Sequence, residues 1–172
     1  MGVSDALKNY VPEKSTVGER QTYKGFYKVS FFDCAKMEDK GYGESIYAQF
    51  KVLEDGVISG DKTNSKFPEF KEYFNISEEK FNNKVKSGKQ LLDGFFSVGV
   101  DVNRSSIESM VASLTELKGT TLYINAWRGK KQKKKEDGTW EADEDGGNVQ
   151  KFSFMTEKNA LSKAQKTESL PF

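Results

Sequence analysis

From Gly25 the chain alternates. In GFYKVSFFDCAKM the odd positions Tyr27, Val29, Phe31, Ala35 and Met37 are mostly apolar, while Phe26, Lys28, Ser30, Phe32, Cys34 and Lys36 form a mixed face. That two-residue period predicts a long strand with one side in a core. After the turn-rich EDKGYGE, the segment ESIYAQFKVL repeats it, with Ile46, Ala48, Phe50 and Val52 on one side and Tyr47, Gln49 and Lys51 on the other. The two segments predict a hairpin whose second strand ends at Asp55-Gly56, a dipeptide that supplies the positive φ of a tight turn.

Over residues 61–94 the two-residue period lapses. Pro68 is placed to open a short helix carrying Phe70, Tyr73 and Phe74, and Ser77 followed by Glu78 and Glu79 reads as a capped helix start. This stretch is expected to be a helical insertion whose Phe67, Phe70, Phe74 and Phe81 pack onto the rest of the domain. FFSVGVDV, from Phe95, predicts a third strand with Phe95 facing outward. SSIESMVASLTELKG is the clearest helix, with Ile107, Met110, Val111, Leu114 and Leu117 at three- and four-residue spacing before Lys118-Gly119. TTLYINAWR returns to strand period with Leu122, Ile124 and Ala126 inward and Tyr123 and Trp127 outward, and NVQKFSFMT predicts a last strand.

Residues 1–22 show no sustained period and predict a flexible N-terminal arm; residues 157–172 predict a flexible C-terminal tail. Between them lies one domain, 23–156. Its element order, without the insertion, is three strands, a helix and two strands, which is the layout of a five-stranded oligonucleotide/oligosaccharide-binding (OB) barrel, mainly β, with a helix between strands three and four.

Charge changes the picture locally. Lys and Arg total 27 against 26 Asp and Glu, so the 172-residue chain is nearly neutral. Yet the loop expected at 129–147 begins with Lys130, Lys131, Lys133, Lys134 and Lys135, directly after Arg128, and continues into Glu136, Asp137, Glu141, Asp143, Glu144 and Asp145. The acids have three readings: pairing with the lysines across a hairpin, competition with a polyanion for them, or a metal site at Asp143, Glu144 and Asp145. Pairing is favoured, because EADEDGG lacks the ligand spacing of a calcium loop.

With no histidine and one cysteine, Cys34, a zinc site and histidine-based acid-base chemistry are not expected. No catalytic motif, cofactor site, membrane span or signal peptide is recognisable, and a cytoplasmic, non-catalytic protein is expected. Thirteen Phe, seven Tyr and two Trp are more than a small core readily hides. On the predicted faces Phe26, Phe32, Tyr47, Phe95, Tyr123 and Trp127 point outward beside Lys28, Lys51 and Arg128. Rings interleaved with cations match single-stranded nucleic acid, whose bases stack for roughly 1–3 kcal/mol each while lysines neutralise phosphates. A bulge in the first strand would swap the faces of Phe26 and Phe32.

In element order over Gly25 to Met155 the chain resembles phage-type single-stranded DNA-binding proteins with an OB fold. That resemblance implies sequence-independent coating of single-stranded DNA in replication or recombination. The ending SLPF is similar to the family's terminal tip, which implies docking of Leu170, Pro171 and Phe172 on replication or recombination partners. The dense acidic stretch of such tails is missing: Glu157 and Glu168 stand against Lys158, Lys163 and Lys166. An RNA-binding protein of the same fold, or an interaction adaptor whose rings form an oligomer interface, are the alternatives.

Overall fold

The computed structural model describes residues 7–12, 22–38, 43–63, 67–83, 86–143 and 147–168. Five antiparallel strands form one sheet: β1 (Gly25–Met37), β2 (Ser45–Gly60), β3 (Phe70–Asn75), β4 (Thr121–Lys130) and, after a small hairpin of β5 (Gln132–Lys134) and β6 (Trp140–Ala142), β7 (Asn148–Met155). Their order is β3-β2-β1-β4-β7, with β1 in the centre. Helices α1 (Gly88–Phe96) and α2 (Ile107–Glu116) lie between β3 and β4, and α3 (Glu157–Glu168) follows β7.

One face of the sheet carries the core. Tyr27, Val29 and Phe31 of β1, Ile46, Ala48, Phe50 and Val52 of β2, Leu122, Ile124 and Ala126 of β4, and Phe152 of β7 are buried together. Leu91 and Phe95 of α1 and Met110 and Leu114 of α2 cover them. Ser106 caps α2 by accepting from the Ser109 N–H at 3.0 Å, as its serine-led sequence predicts.

Three expectations are corrected. The third strand is Phe70–Asn75, inside the stretch read as a helical insertion. Phe70 and Phe74 point inward and Lys71 and Tyr73 outward, a two-residue period that outweighs the helix-opening position of Pro68. The residues at Ser77 make only one turn, with the Phe81 N–H donating to the Ser77 carbonyl at 2.9 Å. Phe95 and Phe96 end α1 instead of starting a strand: Leu91 and Phe95, four apart, share its buried side, and Ser87 caps it. Asp55-Gly56 does not end β2. It lies in a bulge, since Val29 pairs with Val52 and Tyr27 with Val57, and a Cβ on Gly56 would stand 2.3 Å from the Lys28 carbonyl.

Among the described residues the sheet itself is not closed by strand pairing, and the ladder stays open between β3 and β7. Phenylalanine rings bridge the edges: Phe70 lies 5.6 Å from Phe152 and Phe74 lies 6.2 Å from Phe154, with Phe50 touching both β7 rings. Helix α1 contacts both edge strands, and Asn75 of β3 donates its N–H to the Lys86 carbonyl just before α1. A Cβ on Gly94 would sit 2.5 Å from the Phe154 ring, so glycine lets α1 lie directly on that ring.

At the other end, Tyr27 donates its hydroxyl toward the Asp61 carbonyl at 2.8 Å and the Lys24 carbonyl at 3.1 Å. Gln150 brackets Tyr23, accepting from its N–H at 2.6 Å and donating to its carbonyl at 2.9 Å. Burial, with help from Glu69, pushes the Tyr23 phenol up to about 12; burial, then Asp61, does the same for Tyr27. A phenol that holds its proton more tightly folded than unfolded stabilises the fold fully below its unfolded value of 10.0, and that contribution disappears as pH rises towards about 12. Urea midpoints are therefore expected to fall across that window. Tyr27→Phe is expected to cost about 1–2 kcal/mol at neutral pH through lost hydrogen bonds and to flatten the alkaline fall. Gly94→Ala gains about 1 kcal/mol of helix propensity but overpacks Phe154 by up to about 3 kcal/mol, so a net loss in urea denaturation is expected.

Candidate nucleic-acid interface

Strand register assigns the opposite face of the sheet. On β1, Phe26 pairs with Asn125 and Ser59, Lys28 with Tyr123, and Ser30 with Thr121 and Lys51. A register shift between Phe31 and Asp33 then changes the phase. Cys34 turns inward to pack on the core, while Ala35, predicted inward, pairs with Tyr47 and is exposed. Met37, also predicted inward, follows Ala35 in that phase. The shift falls after Phe26 and leaves Phe32 bulged outward and 41 % exposed, with the Lys51 ammonium 5.2 Å from its ring centre. That spacing is within cation–π range.

Tyr47 of β2 pairs with Tyr73 of β3, their ring centres 4.6 Å apart. Lys71 shares the face of Tyr73, opposite Gln49. At the far end Trp127 of β4 stands opposite Lys151 of β7 and is partly exposed. Tyr73, Lys71 and Lys151 were not among the sequence candidates. The alternation of FKEYFN carried the signal for the first two, and the pairing of β7 with β4 is needed to see the third.

Two candidates lie elsewhere, and a third lies on this face but is covered. Phe95 is fully buried in the core, edge-on to Phe31 at 5.2 Å. Arg128 has the inward phase, past the end of the core, where its guanidinium donates to Asp61 at 2.5 Å and to the Thr22 carbonyl and hydroxyl at 3.1 Å. It fastens Thr22, shortly before β1, to Asp61, just after β2. The Lys24 N–H first, and then Arg128, hold the Asp61 carboxyl below its ordinary range. Tyr123 does have the outward phase but is only 7 % exposed.

Tyr123 is covered by α3, the segment expected to be a loose tail. Thr156 starts the helix, its hydroxyl accepting from the Asn159 N–H at 3.2 Å and its carbonyl from the Ala160 N–H at 3.0 Å. The segment is built largely from good helix formers, but Ala160, Leu161 and Ala164 are its only apolar residues, too few to announce a buried side. Ala160 and Ala164, four residues apart, are both buried. Their small side chains let the helix lie close over β4, β1 and β2, which it contacts. Ser30, on the same face, is buried as well. Glu157 lines a recess with Lys28, Thr121 and Tyr123; burial first, and then Glu157, raises the Tyr123 pKa.

Helix α3 thus divides the face. On one side lie Phe32 with Lys51 and Tyr47 with Tyr73; on the other lie Phe26, half-buried, and Trp127 with Lys151. The tip Leu170, Pro171 and Phe172 lies outside the described residues.

Beyond Trp127 the lysine-rich loop is a β-ribbon, β5 (Gln132–Lys134) paired with β6 (Trp140–Ala142). Asp137 holds its turn by accepting from the Thr139 N–H and hydroxyl. Glu141 lies 3.8 Å from Lys133 and 3.5 Å from Lys135, so pairing across the hairpin is the reading that applies to these residues; each such exposed pair contributes about 0–1 kcal/mol. Lys130, Lys131 and Lys134 are also exposed. Asp143 donates its N–H to the Lys131 carbonyl, whereas Glu144 and Asp145 lie outside the described residues. Among the described residues no three Asp, Glu, Cys or His side chains cluster as metal ligands, and no helix is long and apolar enough to cross a membrane.

Because α3 buries Tyr123, replacing Ala160 with glutamine, a neutral polar side chain too large to fit against the sheet, will lower the pKa of that phenol. Alkaline difference absorbance against a Tyr123→Phe background reads this; an unchanged titration would show that α3 is not its cover. No protein-family model matches the chain, and no curated protein matches it either.

Proposed function

We propose that this protein binds single-stranded DNA without sequence preference and coats it during replication or recombination, without catalysing a reaction. In this reading the curled five-stranded sheet is an OB-type platform, and its two edges, bridged by phenylalanine rings and α1, stand where a closed barrel would zip. The observation that carries the reading is the composition of one sheet face: Phe32, Tyr47, Tyr73, Phe26 and Trp127 share it with Lys51, Lys71 and Lys151. Bases of any sequence present a π-face to such rings, at roughly 1–3 kcal/mol each, while the ammonium groups neutralise intervening phosphates. The ribbon lysines extend the positive surface beyond Trp127.

The correction at Arg128 narrows the electrostatics. Its charge is matched by Asp61, so phosphate contacts fall to lysines. Titration of fluorescent oligo-dT tests the proposal. With about four to six phosphates engaged, the log affinity is expected to fall against log salt with a slope of about −3 to −4. Tyr73→Ala and Trp127→Ala are each expected to cost about 1–3 kcal/mol of binding. Absence of binding at low salt, or variants that bind as the parent does, would overturn it. Equal affinity for oligo-U would extend the same face to RNA, since discrimination needs a contact to the 2′-hydroxyl.

A further inference from the structure

The ribbon's two sides differ. Register puts Lys133 opposite Glu141, and with alternation Lys135 falls on the same side as both; there the acid offsets the lysines. The other side carries Gln132 opposite Ala142 and Lys134 opposite Trp140. The cross-strand neighbour of Lys134 is thus an indole rather than a carboxylate. Trp140 is 65 % exposed, although a tryptophan ring buries more apolar surface than almost any side chain when it has the chance. The ribbon follows β4 after a single residue, so it extends from the end of the sheet that carries Trp127 and Lys151.

We propose that Trp140 and Lys134 form a second contact for single-stranded nucleic acid, Trp140 stacking on a base and Lys134 pairing with an adjacent phosphate, reached only by strands long enough to pass Trp127. This rests on the reading of the sheet face as a single-strand platform. Lys134 is seven residues along from Trp127, about 20–25 Å in extended chain, so a short strand held at the sheet does not span both. The occupant is a polyanion with exposed rings, because a lysine without a facing acid flanks the indole. A second copy of this chain would bring its own lysines to the same place.

The chain's only two tryptophans are Trp127 and Trp140, so each reports alone when the other is replaced. In Trp127→Phe, which keeps a ring at the sheet, Trp140 emission is expected to be quenched by oligo-dT of about 16 nucleotides and left unchanged by one of about 4. In Trp140→Phe, both strands quench Trp127. Trp140→Ala is expected to weaken binding of the longer strand about 5- to 150-fold and binding of the shorter one negligibly. Lys134→Glu lowers the salt slope for the longer strand alone. If the longer strand binds by anisotropy and quenches Trp127 while Trp140 stays silent, the ribbon contact is wrong and the sheet reading stands. If neither strand binds the parent, both fall. A Trp140 signal that changes with protein concentration before any strand is added assigns the ring to self-association and also overturns the proposal.

Discussion

The two edges of this sheet meet through rings and a helix, and that contact governs the rest of the molecule. Phe70 and Phe74 of β3 face Phe152 and Phe154 of β7, with Phe50 between them. A sheet that curls until its edge side chains touch commits the inward positions along its middle to the core. The residues of opposite phase are then fixed as a single outer face, and the outward rings of four different strands are brought together by that commitment. The bulges of β1 belong to the same constraint. A long strand paired to β2 and β4 bends sharply only where the register slips, and the slip after Phe31 is also what leaves Phe32 beside Lys51.

The elements legible in the sequence are those whose period runs unbroken: β1 up to its bulge, the first part of β2, α2, β4 and β7. The misreadings share a cause. Phe70–Asn75 is only six residues long, and a proline two positions earlier is as compatible with an edge strand as with a helix start. In α1 the helical spacing of Leu91 and Phe95 overlaps a two-residue run through Val98, Val100 and Val102, and both patterns fit the same letters until the Ser87 cap is weighed. At Asp55-Gly56 the dipeptide does mark irregular backbone, but a bulge within a strand requires the same conformational freedom as a turn that ends one.

The candidate site was legible where phase was, and lost where contacts across the fold decide. Trp127, Tyr47, Lys51 and Phe32 keep the face their alternation predicts. Phe95 fails with the element it was placed in. Arg128 fails differently: a guanidinium one residue beyond Trp127 is on the other side of the strand by alternation alone, and its partner Asp61 is distant in sequence, so nothing local announces the pair. Lys71, Tyr73 and Lys151 become visible only once β3 and β7 are paired with their neighbours.

Helix α3 sets the remaining constraint on what the outer face can do. A sheet face bearing Phe32, Tyr47, Tyr73 and Trp127 would ordinarily attract a strongly apolar cover, yet the segment that lies on it buries two alanines, while Leu161 remains 44 % exposed. The apolar area removed from water by two methyl groups is small beside that of the rings left uncovered. The helix therefore sits over Ser30 and Tyr123, which are buried, and leaves the other rings of the face partly or largely exposed. Its polar surface, rich in lysine, does not extend the core. The physical result is a face with two separated aromatic and cationic patches bridged by a thin helix, and any long polyanion that engages both must pass over or along that helix.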